Sequence, residues 1–107
     1  MIKKIKIGLI QSKSLGTIQS NIDLAIKNIK KAARKKAKII CLPELFLSNY
    51  FCQTESHSNF KLAEKIPGTT SRIFCELAKE LGVVLNITMF EKKTSGFYHN
   101  TSIIINE

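Results

Sequence analysis

A chain of 107 residues makes one small domain at most, and 44% hydrophobic residues is the composition of a folded chain, not a disordered one. The net charge of +9 is uneven: residues 1–40 hold 11 Lys and Arg against one acid, Asp23, while residues 41–107 hold six against seven. No apolar stretch is long enough to cross a bilayer and no nucleic-acid-reading motif accompanies the lysines, so neither a membrane nor a nucleic acid is an expected partner.

Ile5, Ile7 and Leu9 alternate with Lys4, Lys6 and Gly8, a period of two that predicts a strand ending near Gln11. The Met1–Lys6 start is basic, but the apolar run behind it is short and broken by Lys6 and Gly8. It does not read as a secretory signal, and the cytoplasm is the expected compartment. A polar loop, Ser12 to Thr17, leads to a helix predicted from about Ile18 to Lys36. Ile22, Ile26, Ile29 and Ala33 share its apolar face, and Lys27, Lys30, Lys31, Arg34 and Lys35 fill the other side. The lysines are expected to be a solvated helix face, with a basic binding module as the rival.

Ile39 to Leu42 is a second, buried strand, and strand–helix–strand at this spacing predicts a right-handed parallel crossover. Pro43 ends it, because proline has no N–H for a sheet ladder. Loop follows from Ser48 to about Gly68, with a helical turn around Phe60, Leu62 and Ala63. Thr70 or Ser71 can cap a second helix reaching about Leu81, with Ile73, Leu77 and Ala78 inward and Gly82 as its left-handed stop. Val83 to Phe90 and Tyr98 to Ile105 are predicted strands, paired as an antiparallel hairpin across a turn at Glu91–Gly96. Four strands and two helices leave one face or edge of the sheet bare.

Glu44 is the leading candidate for chemistry. It comes directly after Pro43, where a core strand ends, and ligands bind at the carboxyl ends of strands in open α/β sheets. As a general base it needs an acidic proton close by and a dry pocket. Alone, a loop carboxylate beside a lysine is the simpler account. Three cysteines without metal-ligand spacing suit free thiols in a reducing compartment. Cys41, in a strand, and Cys75, in a helix, read as small core residues. Cys52 lies in a loop beside aromatics, without a histidine partner. His57 and His99 have no metal spacing, and Asn100 reads as a residue that orients a neighbouring loop.

Several stretches together resemble the N-terminal part of the carbon–nitrogen hydrolase (nitrilase) superfamily. They are Ile7–Gln11, Ile39-Ile40-Cys41-Leu42-Pro43-Glu44-Leu45-Phe46, Ile66-Pro67-Gly68, Glu76–Val84 and Phe97–Thr101, in the family's order and over nearly the whole chain. Tyr50–Glu55, Phe90-Glu91-Lys92 and Tyr98–Thr101 look most like its N-carbamoylputrescine amidase branch. The resemblance implies an α/β fold, the N-terminal part of an α-β-β-α sandwich with an incomplete sheet. It implies a Glu–Lys–Cys catalytic set that needs no metal or organic cofactor. The substrate would be a small carbamoyl or amide compound, N-carbamoylputrescine being hydrolysed to putrescine, carbon dioxide and ammonia. A β-ureidopropionase is the rival within the superfamily, and a non-catalytic gene fragment the rival outside it. Association into a homo-oligomer is a further possibility for such a domain.

On this resemblance Glu44 matches the general base, and Tyr50 and Phe51 follow closely enough to line the pocket. The lysine and the nucleophilic cysteine would lie beyond Glu107, and none of Cys41, Cys52 and Cys75 matches the nucleophile. The chain is then expected to be the first third of such a domain, inactive by itself. Lys36 stands where the family usually has glycine, and Thr69 where proline is common. A left-handed backbone at Lys36 would cost on the order of 1 kcal/mol.

Overall fold

The structure, a computed structural model, describes residues 3–49 and 57–107. Its strands are β1 (Ile7–Leu9), β2 (Ile39–Cys41), β3 (Val84–Thr94) and β4 (Phe97–Ile105). The helices are α1 (Ile18–Arg34) and α2 (Thr69–Leu81), with a 3-10 turn at His57–Leu62. The strands form one sheet in the order β1-β2-β3-β4. β1, β2 and β3 are parallel, with Ile7 beside Ile39 and Ile39 beside Val84, and β4 returns antiparallel to β3. The parallel crossover and the hairpin are thus as predicted. The hairpin is longer than expected, because β3 continues through Glu91 to Thr94 and the turn narrows to Ser95 and Gly96. β1 and β2 are shorter, at three residues each.

Both helices cover one face of the sheet, and on the other the 3-10 turn, through Phe60, packs on Phe90 and Tyr98. On the helix-covered face Ile40, Leu85, Ile87, Met89 and Ile105 pack against Ile22, Ala25 and Ile29 of α1 and Phe74, Leu77 and Ala78 of α2. Gly8 lets α1 come close, since a Cβ at that position would lie 3.1 Å from Cβ of Ala32. Alternation sends the intervening residues to the other side. Ile7, Leu9 and Ile104, at 56%, 79% and 65% exposure, lie there open to solvent. Apolar side chains on a bare sheet face meet the expectation of an uncovered side. No helix among the described residues is long and apolar enough to cross a membrane.

Both helices end in the same backbone motif. At the end of α2 the N–H of buried Val83 bonds to Ala78 O, and Gly82 takes φ +64° between them. At the end of α1 the N–H of buried Ala37 bonds to Ala32 O and that of Lys36 to Ala33 O, with Lys36 at φ +71°. These are six-to-one closures that favour glycine at the left-handed position. At Lys36 the Cβ opposes the same geometry. The start of α2 differs from expectation: neither Thr70 nor Ser71 is the cap. Gly68 holds that place, its N–H donating to Ser71 Oγ at 2.7 Å, while Thr70 Oγ1 donates to the Glu64 carboxylate. The start of α1 is capped by Thr17, whose Oγ1 accepts from Ser20 N–H at 3.1 Å.

Half of the segment from Leu42 to Asn49 is buried. Leu42, Leu45, Phe46 and Leu47 are core residues, and Phe46 meets the Phe74 ring edge-on at 5.4 Å. Such a pair adds about 0.5–1.5 kcal/mol to simple burial. Asn21 of α1, 4% exposed, ties the segment down. Its Nδ2 donates to Leu47 O at 2.8 Å and to Ser14 Oγ at 3.0 Å, and its Oδ1 accepts from Leu15 N–H at 2.8 Å.

Two stability measurements follow from this arrangement. Lys36→Gly should raise the unfolding free energy by about 1 kcal/mol, because glycine carries no penalty at positive φ. An unchanged or lower urea midpoint would contradict the strain at Lys36. Asn21→Ala should cost about 1–3 kcal/mol, because it leaves Leu47 O and Leu15 N–H without their buried partner. A midpoint within error of wild type would show that water takes over both groups.

Candidate active site

The backbone at the end of β2 is turned by its own chemistry. Leu42 N–H still belongs to the sheet, donating to Asn86 O at 3.0 Å. Pro43 can donate nothing. Leu45 then adopts φ +49°, an uncommon conformation for a residue with a branched side chain, costing about 1–3 kcal/mol. Two contacts hold it there: its side chain is buried, and its N–H donates to Thr88 Oγ1 at 2.8 Å. The turn throws Glu44 outward, so that it is exposed while Leu42, Leu45, Phe46 and Leu47 are buried.

The Glu44 carboxylate lies over the bare face of the sheet. Its Oε1 accepts a hydrogen bond from Asn100 Nδ2 at 2.7 Å. Asn100 is in β4, in register with Phe90 of β3, and Thr88 is in register with Ser102. Thr88, Phe90, Asn100 and Ser102 therefore share the face that carries Ile7, Leu9 and Ile104, opposite the helices. Glu44 reaches across β3 to β4 on that face. Asn100, expected to orient a neighbouring loop, does contact one, and through the carboxylate itself.

A cavity of about 270 Å³ opens beside Glu44, with Ser12, Lys13, Ser14, Phe46 and Asn49 among its walls. Next to Asn100, Phe60 stacks on Tyr98 at 4.4 Å, and Phe90 completes a trio with Tyr98 at 5.7 Å. A larger cavity of about 330 Å³ lies between β1 and α1, lined by Lys6, Gln11, Asn28, Lys31 and Lys35. It has neither a carboxylate nor a thiol.

The other expected residues are dispersed. Tyr50, Phe51 and Cys52 lie outside the described residues. Cys41 is half-buried within β2 rather than in the core, because its register with Leu9 and Asn86 turns it to the open face, away from Ile40. Cys75 is exposed on α2 rather than in the core, since it shares the outer stripe of that helix with Arg72, Glu76 and Lys79. α2 packs on the covered face of the sheet, so Cys75 and Glu44 are on opposite sides. His99, exposed in β4, is in register with Glu91 on the other parity from Asn100. Among the described residues no group of three His, Cys, Asp or Glu could hold a metal ion. The arrangement offers a carboxylate held by an amide on the open sheet face, with the Cys41 thiol on that same face.

Comparison with known proteins identifies the family. The family description "Carbon-nitrogen hydrolase" matches residues 6–107. N-carbamoylputrescine amidase of Oryza sativa is 33% identical over 102 residues, covering 94% of this chain and 34% of the relative. Omega-amidase NIT2-B of Xenopus laevis is 35% identical over 101 residues, covering 94% and 35%. The crystal structure of a carbon-nitrogen hydrolase from Helicobacter pylori G27 superposes with a TM-score of 0.88 at 31% identity, over 95% of this chain and 35% of that one. The chain spans about a third of the length of these relatives. With a family match over residues 6–107 and a fold shared at 31% identity, the chain belongs to the carbon–nitrogen hydrolase family.

Proposed function

We propose that Glu44 is the general base of a cysteine-dependent hydrolase acting on small carbamoyl or amide compounds, with N-carbamoylputrescine as the first substrate to test. The observation that carries this is the exposed Glu44 carboxylate, held by Asn100 at the end of β2 in a chain of this family. The similarity to the Oryza sativa enzyme supports the substrate. The similarity to the Xenopus laevis omega-amidase keeps an ω-amide as a second substrate class.

In this reaction Glu44 takes the proton of a cysteine thiol and the thiolate attacks the substrate carbonyl. A lysine ammonium stabilises the tetrahedral oxyanion. Ammonia departs with a proton returned from Glu44, and the same carboxylate activates the water that cleaves the resulting thioester. With N-carbamoylputrescine the acyl-enzyme is a thiocarbamate, water releases the carbamic acid of putrescine, and breaking of its C–N bond gives carbon dioxide and putrescine, ammonia having left in the first half. The lysine and the cysteine are supplied from outside residues 1–107, and no metal or organic cofactor enters any step. Tyr50 and Phe51, close after Glu44 in sequence, are proposed as pocket residues, and the compartment is proposed to be the cytoplasm.

Residues 1–107 alone should release no ammonia from N-carbamoylputrescine. Joined to the remaining two-thirds of the Oryza sativa relative to complete the domain, they should support turnover. Glu44→Gln in that complete domain should then lower kcat by about 10²–10⁴-fold, the usual contribution of a positioned base. Turnover by residues 1–107 alone, or full activity after Glu44→Gln, would overturn the assignment. Parallel assays with an ω-amide decide between the two substrate classes.

A further inference from the structure

The geometry points to Asn100 as a positioning residue that selects which oxygen of Glu44 accepts the proton. This rests on the proposed role of Glu44 as the base. An ionised carboxylate only accepts hydrogen bonds, so an amide facing it must present Nδ2 and not Oδ1. Asn100 Nδ2 lies 2.7 Å from Oε1 of Glu44 and occupies that oxygen. Among the described residues no hydrogen bond reaches Oε2, and that oxygen is the one offered to the reacting proton.

Each partner is anchored by a separate element. Asn100 is fixed in β4 by its register with Phe90. Glu44 is fixed by the turn at Leu45, whose N–H is held by Thr88 Oγ1 at 2.8 Å. Thr88 belongs to β3, the strand between β2 and β4, so the contact spans three adjacent strands. A free glutamate side chain samples several rotamers and both oxygen placements. One amide bond and one fixed backbone turn remove most of that freedom before substrate arrives, and misplacement of a catalytic group by about 1 Å costs on the order of 10²-fold in rate. A neutral amide also suits the task. A lysine or arginine at position 100 would pin the carboxylate in its charged form, whereas an amide orients it and leaves it able to take and return a proton.

The contact is tested in the chain itself, and the role in the complete domain described above. In residues 1–107 labelled with ¹⁵N, Glu44→Gln should move the side-chain amide resonances of Asn100 and leave those of Asn28, on α1, in place. In the complete domain, Asn100→Asp keeps the shape, removes the amide donor and sets a second carboxylate against Glu44, so that the oxygen is no longer held. The substitution should lower kcat on the order of 10²-fold with KM within about twofold, because the orientation of the base matters to the proton transfer more than to substrate affinity. Asn100→His, which restores an N–H donor, should recover part of that loss. Asn100 resonances that ignore Glu44→Gln overturn the proposal whether or not the complete domain is active. So does an Asn100→Asp enzyme with unchanged kcat, or one that loses only KM. If the complete domain shows no turnover while the resonances do respond, the contact stands and the hydrolase assignment falls.

Discussion

The buried amide of Asn21 draws three parts of the chain to one point. It holds Leu47 O from the segment after β2, and Ser14 Oγ and Leu15 N–H from the loop before α1. A buried polar group is tolerated only when its hydrogen-bonding capacity is used, and this one is used on both the donor and the acceptor side. The consequence reaches beyond Asn21. With Leu47 tied to α1 and Phe46 set edge-on against Phe74, the segment from Leu42 to Leu47 has little freedom to shift. Glu44 is the residue this anchoring leaves outside. The position of the carboxylate is thus set by apolar burial and one amide, and the sheet supplies the rest through Thr88 and Asn100.

The sequence carried the topology because its signals were local. Alternation at Ile5–Leu9, the apolar stripe of α1, Pro43 and Gly82 each mark an element or its end without reference to distant residues. The bare face followed from counting layers. The left-handed backbone at Lys36 was accessible only through the resemblance, since lysine itself gives no warning of positive φ. The cap of α2 was misplaced because Thr70 and Ser71 are both good caps in isolation. Glu64, from the preceding loop, takes the Thr70 hydroxyl, and Ser71 bonds back to Gly68 from inside the first turn.

The candidate site was legible in one residue and not in its surroundings. Pro43-Glu44 announces itself by position. Asn100 comes 56 residues after Glu44 and Thr88 43 residues after Leu45, in strands whose alternation says which face a residue lies on but not which loop it meets. Thr88 resembles any strand threonine, and its hydroxyl matters only because Leu45 turns its N–H toward it. Cys75 shows the opposite case, a local signal passed over. Arg72, Glu76 and Lys79 already marked its stripe of α2 as the solvent side, and hydrophobicity of the residue type is a weaker guide than its place on the helix.

The bare face and the candidate base are one surface. Thr88 and Asn100 have the same strand parity as Ile104, and their side of the sheet is the side on which Ile7 and Leu9 are exposed. A second layer that buries those apolar side chains also closes over Glu44. Proton transfer and oxyanion stabilisation gain strength where bulk water is excluded. A lone sheet with helices on one side cannot exclude water from its other side, however well Glu44 is oriented. The hydrogen bond that orients Glu44 lies within residues 1–107, and under the proposed role a layer packed on Ile7, Leu9 and Ile104 would supply the dry environment that a base needs. In such a design, completion of the apolar core and assembly of the catalytic site are the same event.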